Sequence, residues 1–163
     1  METKEFRKQF GVVLKSLGFK KYKSFWIRRG KEVSELVWLQ RSYYSRLYYL
    51  HYQYLINDLN LEDILEGGHA DAIICLNELE NKELKKVCDL ENEMSDQDRD
   101  LKLNILLNKM LKGKEGVMDS EKKLYAYLVN AKGILIMRPV VEYLLEKYNF
   151  DIPEKWKTAL KNT

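Results

Sequence analysis

Residues 33–56 read VSELVWLQRSYYSRLYYLHYQYLI and contain the two stretches that decide the fold. In residues 33–42 and 47–56, β-branched and aromatic residues are dense and follow the two-residue period of strands. Residues 43–46 form a short connection between them. Because a short connection joins neighbouring strands, the pair is predicted to be antiparallel.

The segment before these strands predicts a helix and more of the same sheet. In residues 4–17 apolar side chains recur every three or four positions, which is typical of an amphipathic helix. Gly18 is placed to end this helix, since glycine adopts the left-handed backbone freely. Residues 20–23 and 25–29 then change to a period of two, which predicts two short strands or one bent strand.

From residue 57 onward the sequence favours helices. Helices are predicted at residues 70–79, 84–90, 96–112, 120–128 and 139–148, with a strand at 72–76 as the alternative for the first. The predicted fold class is α+β: an N-terminal helix, a three- or four-stranded antiparallel sheet, and a mostly helical C-terminal half packed on the sheet. The 163 residues predict one domain, with the basic aromatic sheet in 1–56 and the helical part in 57–163.

Charge is distributed unevenly along the chain. Residues 1–54 carry twelve Lys/Arg against four Asp/Glu, whereas residues 55–111 carry six against fourteen, although the whole chain has a net charge of only +3. Segregated charge favours an oppositely charged partner. No apolar stretch approaches the roughly 18 residues of a membrane span, and Cys75 and Cys88 are predicted to be buried, reduced thiols. We therefore expect a cytoplasmic protein without membrane contact.

Motifs for catalysis, cofactors and metals are weak. His69 and Asp71 stand close together in the sequence. They are only two residues, whereas a metal or acid–base site needs at least three groups. Asp96, Asp98 and Asp100 resemble the start of a calcium loop, but Leu101 and Leu107 stand where glycine and glutamate are required. Phosphate-binding glycine loops and nucleophile elbows are absent. The sequence thus predicts no cofactor and no metal, and it favours a protein that is not an enzyme.

Aromatic and basic residues are interleaved between positions 20 and 54. This pattern has three interpretations: a solvated sheet face with cation–π contacts, a protein interface built on tyrosine and arginine, or a surface that stacks bases and pairs phosphates of single-stranded nucleic acid. The candidate binding surface comprises the following residues: Lys21, Lys23, Arg28, Arg29, Arg41, Tyr43, Tyr44, Arg46 and Tyr49.

One family shares the pattern of the first 56 residues. Its elements are an N-terminal helix with Phe6 and Leu14, the run LGFKK at 17–21, FWIRR at 25–29, and VWLQRS at 37–42, followed by a second strand. In these features the chain resembles the bacterial domain-of-unknown-function 4304 family. The resemblance implies a bacterial α+β protein and supplies no catalytic residues.

Two functions remain after these exclusions. The first is a non-enzymatic protein-binding module, such as an immunity or inhibitor protein, in which acidic residues 58–100 meet a basic partner or the basic sheet meets an acidic one. The alternative is a nucleic-acid-binding protein that uses the basic tyrosine-rich sheet. Opposite charges on one chain also permit head-to-tail self-association, so the oligomeric state stays open.

Overall fold

The structure, a computed structural model, describes residues 1–59, 72–74, 78–112, 114–131, 134–151 and 153–157. Its elements in chain order are α1 (Thr3–Ser16), β1 (Lys20–Tyr22), β2 (Phe25–Arg29), β3 (Val33–Arg41), β4 (Tyr48–Ile56), β5 (Ala72–Ile74), α2 (Glu78–Cys88), α3 (Asp96–Leu111), α4 (Glu121–Asn130), β6 (Ile134–Ile136) and α5 (Arg138–Tyr148). Two 3-10 helices, Glu115–Asp119 and Glu154–Trp156, are also present, and residues 57–59 are helical.

The predicted fold class is confirmed. An N-terminal helix precedes a four-stranded antiparallel sheet, and a mostly helical half follows. The strand order β1-β2-β3-β4-β5-β6 adds two three-residue strands from the later half to that sheet. Within the described part of the chain, no helix combines the length and the apolar character needed to cross a membrane.

Two local assignments differ from the sequence-based expectation. Residues 72–74 were predicted as helix, with a strand as the alternative, and the strand is what forms; residues 134–136 form a strand that was not predicted. Both are short apolar runs, for which period alone cannot separate strand from helix. Pairing with neighbouring strands makes both segments strands. On β5, Ile73 pairs with Gln53 of β4, and Ala72 pairs with Ile136 of β6. The sequence also predicts a helical turn at residues 61–66, which lie outside the described residues.

Helix ends follow the predicted local chemistry. Gly18 has φ +85°, and the amides of Gly18 and Phe19 donate to the carbonyls of Lys15 and Leu14, which satisfies the last turn of α1. Ser95 caps α3 by accepting from the Asp98 amide at 3.1 Å. Ser120 caps α4 in the same way through the Lys123 amide at 3.2 Å.

The described residues divide into two compact units that interleave along the chain. Unit 1 comprises residues 1–28, 37–51 and 76–114, and unit 2 comprises residues 29–36, 52–75 and 115–163. The prediction of one domain over 1–163 stays a prediction.

Unit 1 has a core between α1, the strand segments and α3. Phe6 and Phe10 of α1 are almost fully buried, and the Phe6 ring stacks on Tyr48 with centroids 5.3 Å apart. Gly11 lets the helix approach the sheet, because a Cβ there would lie 2.7 Å from Cζ2 of Trp26. α1 therefore covers the sheet face that carries Trp26 and Tyr48.

Unit 2 has its own core, which includes polar side chains. Tyr54 is buried and its ring meets Tyr127 edge-on at 5.8 Å. Glu35 is also fully buried, and the Tyr52 hydroxyl donates to its carboxylate. Burial, followed by the nearby Glu35 carboxylate, raises the pKa of Tyr52 well above its ordinary value.

Candidate functional site

Side chains of unit 1 divide between the two faces of its strands. Tyr22 pairs with Phe25 and Lys20 pairs with Ile27, so these residues share one face, and Lys21 shares the opposite face with Trp26. On β3 and β4, His51 contacts both Trp38 and Gln40, which places these three on a common face. Trp26 and Tyr48 face α1, so the other face is the one that α1 does not cover.

We call this side, which α1 does not cover, the open face and define it by its exposed or half-exposed residues: Lys20, Tyr22, Phe25, Trp38, Gln40, Tyr49 and His51. Ile27 lies on the same side but is buried. Tyr49 is 47% exposed and Tyr22 is 36% exposed. Five of these seven side chains are aromatic rings. Two ring pairs form on this face, Tyr22 with Phe25 and Trp38 with His51. Exposed aromatic side chains of this kind are a feature of binding sites, because rings buried on association supply most of the energy at interfaces.

The centre of the open face is preorganised. The Trp38 and His51 rings are nearly parallel, with centroids 4.6 Å and planes 9° apart. His51 Nε2 lies 2.8 Å from Gln40 Oε1, which fixes the imidazole against the indole. Burial lowers the pKa of His51. Rings held in one position lose little conformational entropy when a partner binds.

The β3–β4 connection extends this aromatic surface. Tyr43 is 94% exposed and Tyr44 is 99% exposed, although both are large aromatic residues. The Tyr44 amide donates to Ser42 Oγ at 3.2 Å, and the Ser42 amide donates to the Leu47 carbonyl at 2.8 Å. The backbone on either side is thus held in place while both rings project into solvent. We call Tyr43 and Tyr44 the tyrosine tip.

Cations predicted on the same surface lie elsewhere, with one exception. Lys21 is on the α1 side of β1, and Arg41 lies on the same side as Leu39 by strand alternation. Lys23 alone stays near the aromatic residues, since its Nζ lies 5.4 Å from the centroid of Tyr22. Alternation with a period of two therefore places Lys21 and Arg41 on the α1 side of the strands, away from the open face.

Arg28 does not belong to a binding surface, which corrects the prediction. Its side chain is buried, with 7% exposure, and its guanidinium donates to the carbonyls of Leu17 at 3.0 Å and Leu111 at 2.9 Å. The guanidinium carbon also lies 4.7 Å from the centroid of the Phe19 ring. Arg28 joins the ends of α1 and α3, because the last carbonyls of a helix accept from cationic donors.

The remaining predicted residues are placed as follows. Arg46 is half-buried; its guanidinium donates to the Met1 carbonyl at 2.8 Å and pairs with Glu2 at 3.7 Å. Arg29 is exposed but belongs to unit 2. Of the predicted set, Tyr49 therefore lies on the open face, Lys23 lies beside Tyr22, and Tyr43 and Tyr44 form the exposed tip of the β3–β4 connection.

Sequence reasoning missed the centre of the open face. Trp38 and His51 were seen as alternating strand residues, but one sequence does not show which of two strand faces a helix covers. Among the described residues, no group of three or more His, Cys, Asp or Glu side chains could hold a metal ion. His69, Asp71 and Cys75 lie outside those residues, and burial raises the pKa of the Cys88 thiol to about 12.

Comparison with known proteins gives one match. A family model described as Domain of unknown function (DUF4304) matches residues 10–113, which confirms the resemblance and extends it beyond the first 56 residues. Searches of curated proteins and of solved structures find no match. The matched segment contains every residue of the open face and the tyrosine tip. The chain belongs to the family described as Domain of unknown function (DUF4304).

Proposed function

We propose that this chain is a bacterial, cytoplasmic protein-binding module, of the immunity or inhibitor class, that binds its partner through the open face and the tyrosine tip. The observation that carries the proposal is the group of uncovered aromatic side chains in unit 1. Trp38 and Tyr49 stand on the open face, and Tyr43 and Tyr44 are almost fully exposed beside it in the chain. Tryptophan and tyrosine are the residues most enriched among energetic anchors of interfaces.

Charge on these strands indicates an acidic partner. No Asp or Glu occurs from residue 6 to residue 31 or from residue 36 to residue 57. The strands of unit 1 are drawn from these two carboxylate-free segments, and Lys20 and Lys23 border the aromatic rings. Complementary charge would accelerate association and exclude basic competitors. Residues 60–71 and 75–77 of the acidic segment 58–100, which could meet a basic partner, lie outside the described residues.

We expect the double substitution Tyr43→Ser and Tyr44→Ser to weaken partner binding at least about tenfold without a change in stability, since the two rings are solvated in the free protein. The measurement is a tagged pull-down from the native host, with nuclease-treated and untreated halves and both protein and nucleic acid quantified. The supporting result is one protein captured at near-equal stoichiometry in both halves and lost with the variant.

Leu101→Ser with Ile105→Ser is the matched control, because it also removes two exposed apolar side chains, at 61% and 56% exposure, but on α3. If the control variant captured equally little partner, the binding would be a non-specific effect of exposed apolar side chains. Retention of the partner by the tyrosine variant would refute the proposed surface.

Binding of single-stranded nucleic acid is the second candidate, favoured by the absence of carboxylates from the same two segments. Only Lys20 and Lys23 stand beside the aromatic rings. Two phosphate contacts predict a slope of about −1.4 for log affinity against log salt concentration. Fluorescence anisotropy with a labelled single-stranded oligonucleotide measures this slope. A slope steeper than about −3 requires more cations than a weak, non-specific contact supplies. Such a slope, together with loss of oligonucleotide binding in Lys20→Gln, would replace the protein-binding proposal.

A further inference from the structure

A small cavity of about 50 Å³ opens between α1 and the β1–β2 hairpin of unit 1, on the side opposite the open face. Its lining combines two cationic side chains, Arg7 and Lys21, with the hydroxyl residue Ser24 and an apolar wall of Phe10, Trp26 and Leu39. None of the described residues that line the cavity carries a carboxylate. The space exceeds the roughly 10–15 Å³ needed to hold one water molecule, so a small polar group can enter.

Both cations lack a counter-ion within the described part of the chain. Arg7, Lys21 and Ser24 take part in none of the side-chain hydrogen bonds or ion pairs found there. On the same helix Lys8 does have a counter-ion, since its Nζ lies 3.5 Å from Oε1 of Glu5. Two like charges directed to one cavity repel each other, and an anion between them would relieve this repulsion.

From this geometry we infer that the cavity is a binding site for a carboxylate. The planar guanidinium of Arg7 presents a fork of N–H donors that matches the two oxygens of a carboxylate. Lys21 adds a point charge, and Ser24 adds an O–H donor. All three donors are exposed to solvent, and the buried side chains of Phe10 and Trp26 line the inner wall of the cavity. The small volume favours a planar carboxylate over a tetrahedral phosphate with its hydration shell.

Such a carboxylate could come from a free organic acid or from an Asp or Glu side chain of a polypeptide. The chemistry at Arg7 and Lys21 is the same for both. The inference does not depend on the proposed function, since the cavity and the open face lie on opposite sides of the strands.

The test is an NMR titration of the ¹⁵N-labelled full chain at constant ionic strength. The probes are acetate, acetamide as its neutral analogue, phosphate, and a glutamate residue blocked at both ends. Three tryptophans give three indole N–H signals, so Trp26 reports on the cavity and Trp38 and Trp156 serve as internal references. We expect acetate to shift the Trp26 signal saturably, with a dissociation constant on the order of 1–10 mM.

Arg7→Gln should weaken acetate binding about tenfold, because one charged bidentate contact is lost. Lys15→Gln is the matched control: it removes the same charge from an exposed position on α1 that does not line the cavity. It should leave acetate binding unchanged. With the site established, tighter binding of the blocked glutamate than of acetate would identify a polypeptide ligand, and the reverse would identify a free acid.

Three results would overturn the inference. The first is the absence of a saturable shift with any probe. The second is an equal response to acetamide and acetate, or equal effects of Arg7→Gln and Lys15→Gln, since either would show that no specific charge contact forms. The third is tighter binding of phosphate than of acetate, which would assign the cavity to a phosphoryl group instead.

Discussion

Replacing Arg99 by methionine is expected to lower the free energy of unfolding by about 3 kcal/mol or more, the largest effect we predict for a single side chain of unit 1. Arg99 is fully buried although it carries a charge. Nη1 donates to the carbonyls of Val87 at 2.6 Å and Asp89 at 2.7 Å, and Nη2 donates to Asn92 at 2.9 Å. One guanidinium thus holds the last turn of α2 and the turn after it.

The physical reason for the large loss is that Arg99 donates to one buried carbonyl, that of Val87, and to two part-buried carbonyls, those of Asp89 and Asn92. The last carbonyls of a helix have no partner within the helix, and here Arg99 satisfies them. Methionine fills similar volume but donates nothing, so at least three carbonyl groups would be left without this donor. Each buried group left unsatisfied costs about 1–3 kcal/mol. Arg99→Lys should recover only part of the loss, because one ammonium cannot reach both the α2 terminus and Asn92.

Urea unfolding followed by far-ultraviolet circular dichroism measures this effect. Lys102→Met is the control, since Lys102 is exposed on the same helix and its replacement should change stability by less than about 0.5 kcal/mol. A loss below about 1 kcal/mol for Arg99→Met would show that water replaces the guanidinium at these carbonyls.

Replacing Glu121 by alanine is expected to lower the free energy of unfolding by about 2–4 kcal/mol, mainly through unit 2. Glu121 is buried at the first turn of α4, where the helix dipole favours an anion. Its carboxylate accepts from Tyr143 at 3.0 Å and Tyr148 at 2.7 Å, and Lys147 Nζ lies 3.1 Å away. Alanine would leave all three donors without this acceptor.

Alkaline pH should weaken the same hydrogen-bond network, because its donors lose their protons. Burial, and then the hydrogen bond to Glu121, raises the pKa of Tyr148 to about 12 from an ordinary value of 10.0. The hydrogen bond that Lys147 donates to the Tyr143 hydroxyl is the first of several causes that raise the pKa of Lys147. A group whose pKa is raised on folding stabilises the folded state, and this contribution is complete at pH values below its pKa in the unfolded chain. The contribution is lost as the pH rises through the pKa of the group in the folded protein. We therefore expect stability to fall above about pH 10.

Glu121→Gln tests this coupling with little change of shape. Tyr148 should then ionise at a lower pH, which absorbance of tyrosinate near ~295 nm reports. Glu142→Gln is the control, because Glu142 is 51% exposed and pairs with Arg138 on the surface of α5. An unchanged tyrosine titration in Glu121→Gln would show that burial alone sets the pKa of Tyr148.

Local features of this fold could be predicted because their partners are close in the chain. Gly18, Ser95 and Ser120 each end or begin a helix through hydrogen bonds that span no more than five residues. Alternation in β3 and β4 likewise identified which residues share a face. The family resemblance on the first 56 residues was also visible in the sequence.

By itself, then, the sequence determined the α+β class, the helix caps, the strand alternation and the family. Tertiary structure alone decided which strand face α1 covers, and hence that Trp38 and His51 are accessible while Trp26 is buried. It also decided that Arg28 is internal, since its acceptors Leu17 and Leu111 lie 11 and 83 residues away. The physical reason is common to these cases: period and propensity describe one element, whereas burial depends on the element that packs against it.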